Sequence, residues 1–210
     1  MQRRAERTRH VILKAAAETF EARGYLGTSL QNIVTGRHVS KGALYFHFPS
    51  KEDLALAILA DQHELWPALI SELRRRQQSA IRILLELFCQ ATAILRDDAL
   101  ARASTRLACE LDLIDSSAPR LFAGWADVVE ELLHEAREQG DLLPEADSRV
   151  VAEVVVAAFA GLQRMNAINP AKTDLQELVT AMWRHMLPGL VTAERLPEIM
   201  EHLGALSGDA

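Results

Sequence analysis

Scarcity is the first guide to this chain. It has two cysteines in 210 residues, Cys89 and Cys109. Two cannot build the disulfide framework of a small secreted domain, and both fall in helical patterns, where a reduced cysteine serves as a small buried hydrophobe. Aromatic residues are few, at 5%, and Ala and Leu dominate, which leans toward helix. Strand-like alternation, internal repeats and low-complexity tracts are all missing. The most apolar run, Val150 to Leu162, is interrupted by Glu153 and is shorter than the ~18–20 residues a membrane span needs. The N-terminal MQRRAERTRH is basic, but no apolar signal-peptide core follows it. A cytoplasmic protein with no membrane partner is the expectation.

Catalytic signatures are missing too. There is no Gly-x-Ser-x-Gly, Walker loop, dinucleotide glycine pattern or His-Glu-x-x-His. The histidines, at 10, 38, 47, 63, 134, 185 and 202, show no paired ligand spacing. No catalytic residue, metal or cofactor is expected. An enzyme and a helical adaptor are therefore the weaker functional classes.

What is present is a soluble composition, 49% hydrophobic and 25% charged. The length suits one large or two small domains. The net charge of −6 conceals a split. Residues 1–51 hold nine Lys and Arg against three acids, which leaves 14 basic and 26 acidic residues for the remainder. A basic head on an acidic body implies that only the head meets a polyanion.

Helical spacing runs through the whole chain and predicts nine or ten helices and no sheet. Ile12, Ala15, Ala16, Thr19 and Phe20 trace the first face, and Gly24 stops it. TSLQ, Thr28 to Gln31, reads as a capping box in which Thr28 caps and Gln31 reaches back. A short helix through Ile33 follows, then a second short one that Ser40 caps, running to Phe46. SKED, Ser50 to Asp53, is another capping box and opens a longer helix, with a kink or break expected near Pro67. Further helices are expected over Ile81–Leu95, Ala99–Leu111, the stripe Leu121–Leu133 and Val150 to about Met165, where Asp147 or Ser148 caps. A third box, Thr173 to Gln176, opens the helix that stops at Pro188–Gly189. The last stretch, Leu196–Leu206, is only weakly amphipathic.

Two short helices joined by a tight turn, after a longer one, make a helix-turn-helix unit. Val39, Leu44, Phe46 and Phe48 form its apolar skeleton, with Leu44, Val39 and Phe48 inward. Lys41, Gly42 and Tyr45 then face outward on the helix that enters the major groove. Gly42 is costly in a helix unless something must come close. Lys41 can reach a base edge or phosphate, and Tyr45 a phosphate. Lys51 sits in the first turn of the next helix, where N–H groups favour an anion. Thr28 and Ser40 can donate hydroxyls to phosphate, and His47 completes the DNA-facing set.

Residues 8–54 closely resemble the DNA-binding head of the TetR family of transcriptional repressors, through ILKAAAETFEARGY and above all KGALYFHFPSKEDLA. TGRHVS departs from it: many relatives carry a small apolar residue near Arg37 or His38. Further on, LPEAD, AAFAGLQ, MLPGL and the tryptophan of FAGWADVVEELLHEAREQGDLLP resemble the γ-butyrolactone autoregulator receptors of streptomycetes. The resemblance implies an all-α protein. Its DNA-binding domain would span 1–50 and its ligand-binding and dimerisation domain 51–210. It implies a homodimer on double-stranded, near-palindromic operator DNA, released by a small-molecule inducer. The inducer would be a γ-butyrolactone, furan or butenolide, or alternatively an antibiotic or other drug-like ligand.

The same resemblance puts the dimer interface on the helices near 147–166 and 173–189, where Ala157, Ala158, Ala160 and Gly161 permit close approach. It matches Trp125 to an inducer-lining tryptophan and Gln62 to a polar residue facing the same pocket. Thr105 and Gln163 are further polar candidates, and Leu84, Phe88, Leu107 and Phe159 are candidate walls.

Overall fold

The computed structural model describes residues 2–34, 40–63, 65–114, 121–168 and 174–208. Among them are α1 (Gln2–Arg23), α2 (Leu30–Val34), α3 (Lys41–His47), α4 (Lys51–His63), α5 (Leu65–Arg75) and α6 (Ala80–Asp97). Then come α7 (Ala99–Ile114), α8 (Leu121–Glu138), α9 (Ser148–Ile168), α10 (Leu175–Met186) and α11 (Leu196–Ser207). A 3-10 turn, Leu187–Gly189, follows α10. The all-α expectation holds among these residues, with one isolated bridge, Leu142 to Val191, as the only extended pairing.

The chain forms two compact units. The first holds residues 1–68 and 94–120, and the second holds 69–93 and 121–210. The head helices, α4 and α7 fall in the first of these units.

In the first unit α1 buries Ile12, Leu13, Ala16, Ala17 and Phe20 and packs against α7, which also packs against α4. Gly24 ends α1 at φ +73°, and a Cβ there would lie 2.6 Å from the Glu110 carboxylate. The left-handed backbone favours glycine, whereas the Glu110 tip is the end of a flexible side chain and can give way. The first capping box is shifted by one residue from expectation. Ser29 is the cap: its hydroxyl accepts from the Asn32 backbone N–H at 3.2 Å, and the Asn32 side-chain Oδ1 accepts from the Ser29 N–H at 2.9 Å. Thr28 instead turns inward, and its hydroxyl donates to the Gly24 carbonyl at 2.7 Å. The SKED box forms as expected, with Ser50 and Asp53 exchanging hydrogen bonds of 3.1 and 3.0 Å. α4 is described to His63 and α5 from Leu65. Pro67 then lies in the first turn of α5, where a missing N–H costs nothing.

In the second unit α6, α8, α9, α10 and α11 enclose a core that includes Leu84, Phe88, Leu132, Val155, Val179, Trp183 and Leu203. Gly140 ends α8 at φ +79°. Asp147, not Ser148, caps α9, accepting from the N–H groups of Arg149 and Val150. Asp174 caps α10, accepting from Gln176; Thr173 lies outside the described residues. The C-terminal stretch forms a full helix rather than a weak turn. Its Ile199 and Leu203 are buried, and Arg195 before it donates to the buried Asp141 at 2.7 Å.

One other expectation is corrected. Cys89 is buried, but Cys109 is exposed. The helix around the Val150–Leu162 run extends to 21 residues, long and apolar enough by length and composition to cross a membrane. Its inner face packs against α8 and α10. Its outer face leaves Val150, Val154, Met165 and Ile168 between 51% and 72% exposed.

Candidate functional site

The outward face of α3 is built by a short, well-capped helix. Ser40 stands at its N-terminus and its hydroxyl accepts from the Ala43 N–H at 3.1 Å. Leu44 and Phe48 are buried and hold the helix to α1 and α2. Val39 lies outside the described residues, as do Arg37 and His38. With Leu44 inward, Lys41, Gly42 and Tyr45 point to solvent. A Cβ built on Gly42 would meet nothing within 4 Å, so nothing inside the chain requires glycine there.

Phe46 corrects the apolar skeleton. It is 80% exposed, and its ring lies edge-on to His47 at 5.2 Å. The Lys41 ammonium lies 6.0 Å from the Tyr45 ring centre. The outer surface of α3 thus combines a cation, a phenol, a bare backbone and an unburied phenyl. The inward set expected from spacing, Val39, Leu44 and Phe48, already leaves Phe46 out, and Leu44 and Phe48, four apart, fill the inward stripe of so short a helix.

Two members of the DNA-facing set have other partners. Thr28 is buried, with its hydroxyl engaged as above, so its side chain is turned away from any phosphate. The Lys51 ammonium donates to the Tyr25 carbonyl at 2.8 Å and lies 4.2 Å over the Tyr25 ring. Tyr25 is a hub. Its N–H donates to Glu110 of α7, and its ring stacks on Phe20 at 6.2 Å. Burial, then the charge of Glu52, pushes its phenol above the ordinary value. Arg106 donates to Glu110 at 2.7 Å, and Arg102 to Glu21 at 2.6 Å. α7 therefore grips the C-terminal end of α1 through side chains (Arg102, Arg106 and Glu110) spaced one turn apart.

The ligand candidates are divided between the units. In the first unit Leu107 is fully buried, and the Thr105 hydroxyl donates to the Ala101 carbonyl at 3.1 Å. Gln62 falls in α4, with its side chain outside the described set. In the second unit Leu84 and Phe88 are core residues. Trp125 and Phe159 pack against that core, partly buried. Phe88 meets Phe159 at 5.0 Å and Trp183 at 5.4 Å, both edge-on. Gln163 has its side-chain carbonyl oxygen buried without a partner. Trp183 was missed as a site candidate because it completes the apolar stripe of α10, which reads as ordinary core.

Two family models match the chain. Residues 12–58 match the family model described as bacterial regulatory proteins, tetR family, and residues 78–192 match the tetracyclin repressor-like C-terminal domain. The chain is 34% identical over 203 residues to the A-factor receptor protein of Streptomyces griseus, covering 96% of this chain and 69% of that one. Among solved structures it resembles a γ-butyrolactone receptor, an ArpA-like protein, with a TM-score of 0.87, 31% identity and 99% and 100% of the two chains covered. It also resembles CprB of Streptomyces coelicolor in complex with its biological operator sequence, with a TM-score of 0.84, 31% identity and the same coverage.

Proposed function

The chain belongs to the TetR family of bacterial regulatory proteins, and from that premise we propose how it divides its work: residues 1–50 read DNA, and residues 51–210 hold the inducer and join two copies. It is a ligand-responsive transcriptional repressor, not an enzyme, and it acts on operator DNA as a homodimer. Its place of action is the bacterial cytoplasm, where operator DNA lies.

The outward face of α3 carries this reading. Lys41, Gly42, Tyr45 and Phe46 stand free of the core, in the segment that holds the positive charge of the chain. Lys41 is the candidate for a base edge, and Tyr45, Ser40 and His47 are candidates for phosphate. Lys51 first braces Tyr25, so its contribution to DNA is in large part to fix where α4 begins. The N-terminus of α4, with its free N–H groups, remains available to a phosphate.

The inducer in this reading is a γ-butyrolactone or a related furan or butenolide. Two resemblances support it: the relative named as an A-factor receptor and the solved γ-butyrolactone receptors. The aromatic interior of the second unit suits a mostly apolar molecule with a polar end. Release follows from differential affinity: a ligand that prefers the DNA-incompetent state 100-fold shifts the equilibrium by about 2.7 kcal/mol per site. α4 packs against α1 and α7, so displacing α4 displaces the head. The test is operator footprinting with and without an alkyl γ-butyrolactone. Trp125→Ala is expected to keep operator binding and to lower inducer affinity by roughly one to two orders of magnitude. Wild-type release from that variant would remove Trp125 from the site.

A further inference from the structure

We propose that α9 and α10 hold a polar subsite, formed by Trp183, Thr180 and Gln163, that takes the oxygen atoms of an otherwise apolar lactone. The inference rests on the inducer reading above and names the part of the ligand that is read. Trp183 is 0% exposed and Thr180 is 3% exposed. The Trp183 indole N–H, the Thr180 hydroxyl and the Gln163 side-chain carbonyl are all buried without a hydrogen-bond partner. Interiors rarely leave such groups unpaired, and each of the three calls for a partner.

The helix geometry brings them to one level. α9 and α10 pack together. Phe159 of α9 and Trp183 of α10 both lie edge-on to Phe88. One turn from that aromatic contact, toward the connection, stands Gln163 on α9 and Thr180 on α10. The indole N–H and the threonine hydroxyl can donate to a carbonyl oxygen. The Gln163 oxygen can accept from a ligand hydroxyl. The neighbouring phenyl rings supply an apolar wall, as a small-molecule site requires. A single buried water is the rival occupant.

The probe is γ-decalactone, with hexylcyclopentane as its oxygen-free counterpart, titrated into the full-length 15N-labelled protein. The chain has three tryptophans, so their indole N–H resonances can be assigned by single Trp→Phe variants. The lactone is expected to shift the Trp183 indole resonance to saturation, and the hydrocarbon to leave it unmoved. Thr180→Val, which keeps the shape of the side chain, is expected to weaken lactone binding about tenfold and hydrocarbon binding hardly at all. A lactone that moves Trp125 but not Trp183 overturns the subsite and spares the inducer reading. Equal shifts with both probes overturn the polar role and leave water as the occupant. No response to the lactone anywhere overturns both readings. A lactone that saturates Trp183 without releasing operator keeps the subsite and sinks the inducer reading.

Discussion

Helices α3 and α9 both present a face that the chain itself does not cover, and the two faces differ in kind. α3 is seven residues long and shows a lysine, a glycine, a tyrosine and a phenylalanine. α9 is three times as long and shows valines, small residues, Met165 and Ile168. The first face suits a charged, hydrated partner, whose affinity comes from counterion release. The second suits an apolar partner, whose affinity comes from water released on burial. The partner proposed for it is a second copy of the chain, because a twofold axis lays the same stripe against itself. In both helices a glycine sits mid-face, Gly42 and Gly161, and a Cβ on either would meet nothing within 4 Å. A Cβ would fit at either within the fold, and close approach from outside is the reason proposed for both.

The largest effect should come from charging the apolar face. Val154→Asp leaves the single chain folded, since the residue is half exposed, but places two unpaired carboxylates in the proposed dimer seam. Burying an unpaired charge costs about 3–5 kcal/mol, so the dimer should weaken on the order of a hundredfold or more. Sedimentation shows this directly, and operator binding should fail with it. A dimer of wild-type strength would move the interface away from α9.

On the other face, salt is the discriminating variable. Lys41→Ala should lower the slope of log K against log salt by about one unit and relax base preference at one position. Lys51→Ala should also weaken binding to every sequence and, unlike Lys41→Ala, lower the melting temperature, because it removes the tie to Tyr25. Equal loss on operator and random duplex from Lys41→Ala would reduce that residue to a phosphate contact.

The smallest and sharpest effect is a matched pair. Gly42→Ala and Gly161→Ala should each stabilise the chain by about 0.5–1 kcal/mol, through helix propensity alone. Gly42→Ala should then weaken operator binding without changing the dimer, and Gly161→Ala should do the reverse. If neither variant loses affinity for anything, close approach is not why these positions hold glycine.

The head was legible in the residues because its signals are local. Ser40 and the Ser50–Asp53 box cap the helices they were expected to cap, Gly24 takes the left-handed turn, and Lys41, Gly42 and Tyr45 face outward. Errors appeared where two adjacent residues could play one role. Thr28 and Ser29 both offer a hydroxyl, and burial of the Thr28 methyl group decides between them. The ligand site was less legible: Trp183 reads as plain core, and only its missing hydrogen-bond partner marks it as different.

By itself the sequence determined the helical class, the element order and the basic head, because propensity, capping and periodicity act over a few residues. It also carried the family resemblance, since KGALYFHFPSKEDLA is a contiguous block. Tertiary structure alone decided which polar atoms have partners. Lys51 reaches back 26 residues to Tyr25, and Glu110 meets the Tyr25 N–H across 85. The indole of Trp183 is left with none. Hydrogen bonds are satisfied between whichever groups the packed helices bring within about 3 Å. No spacing along the chain records that.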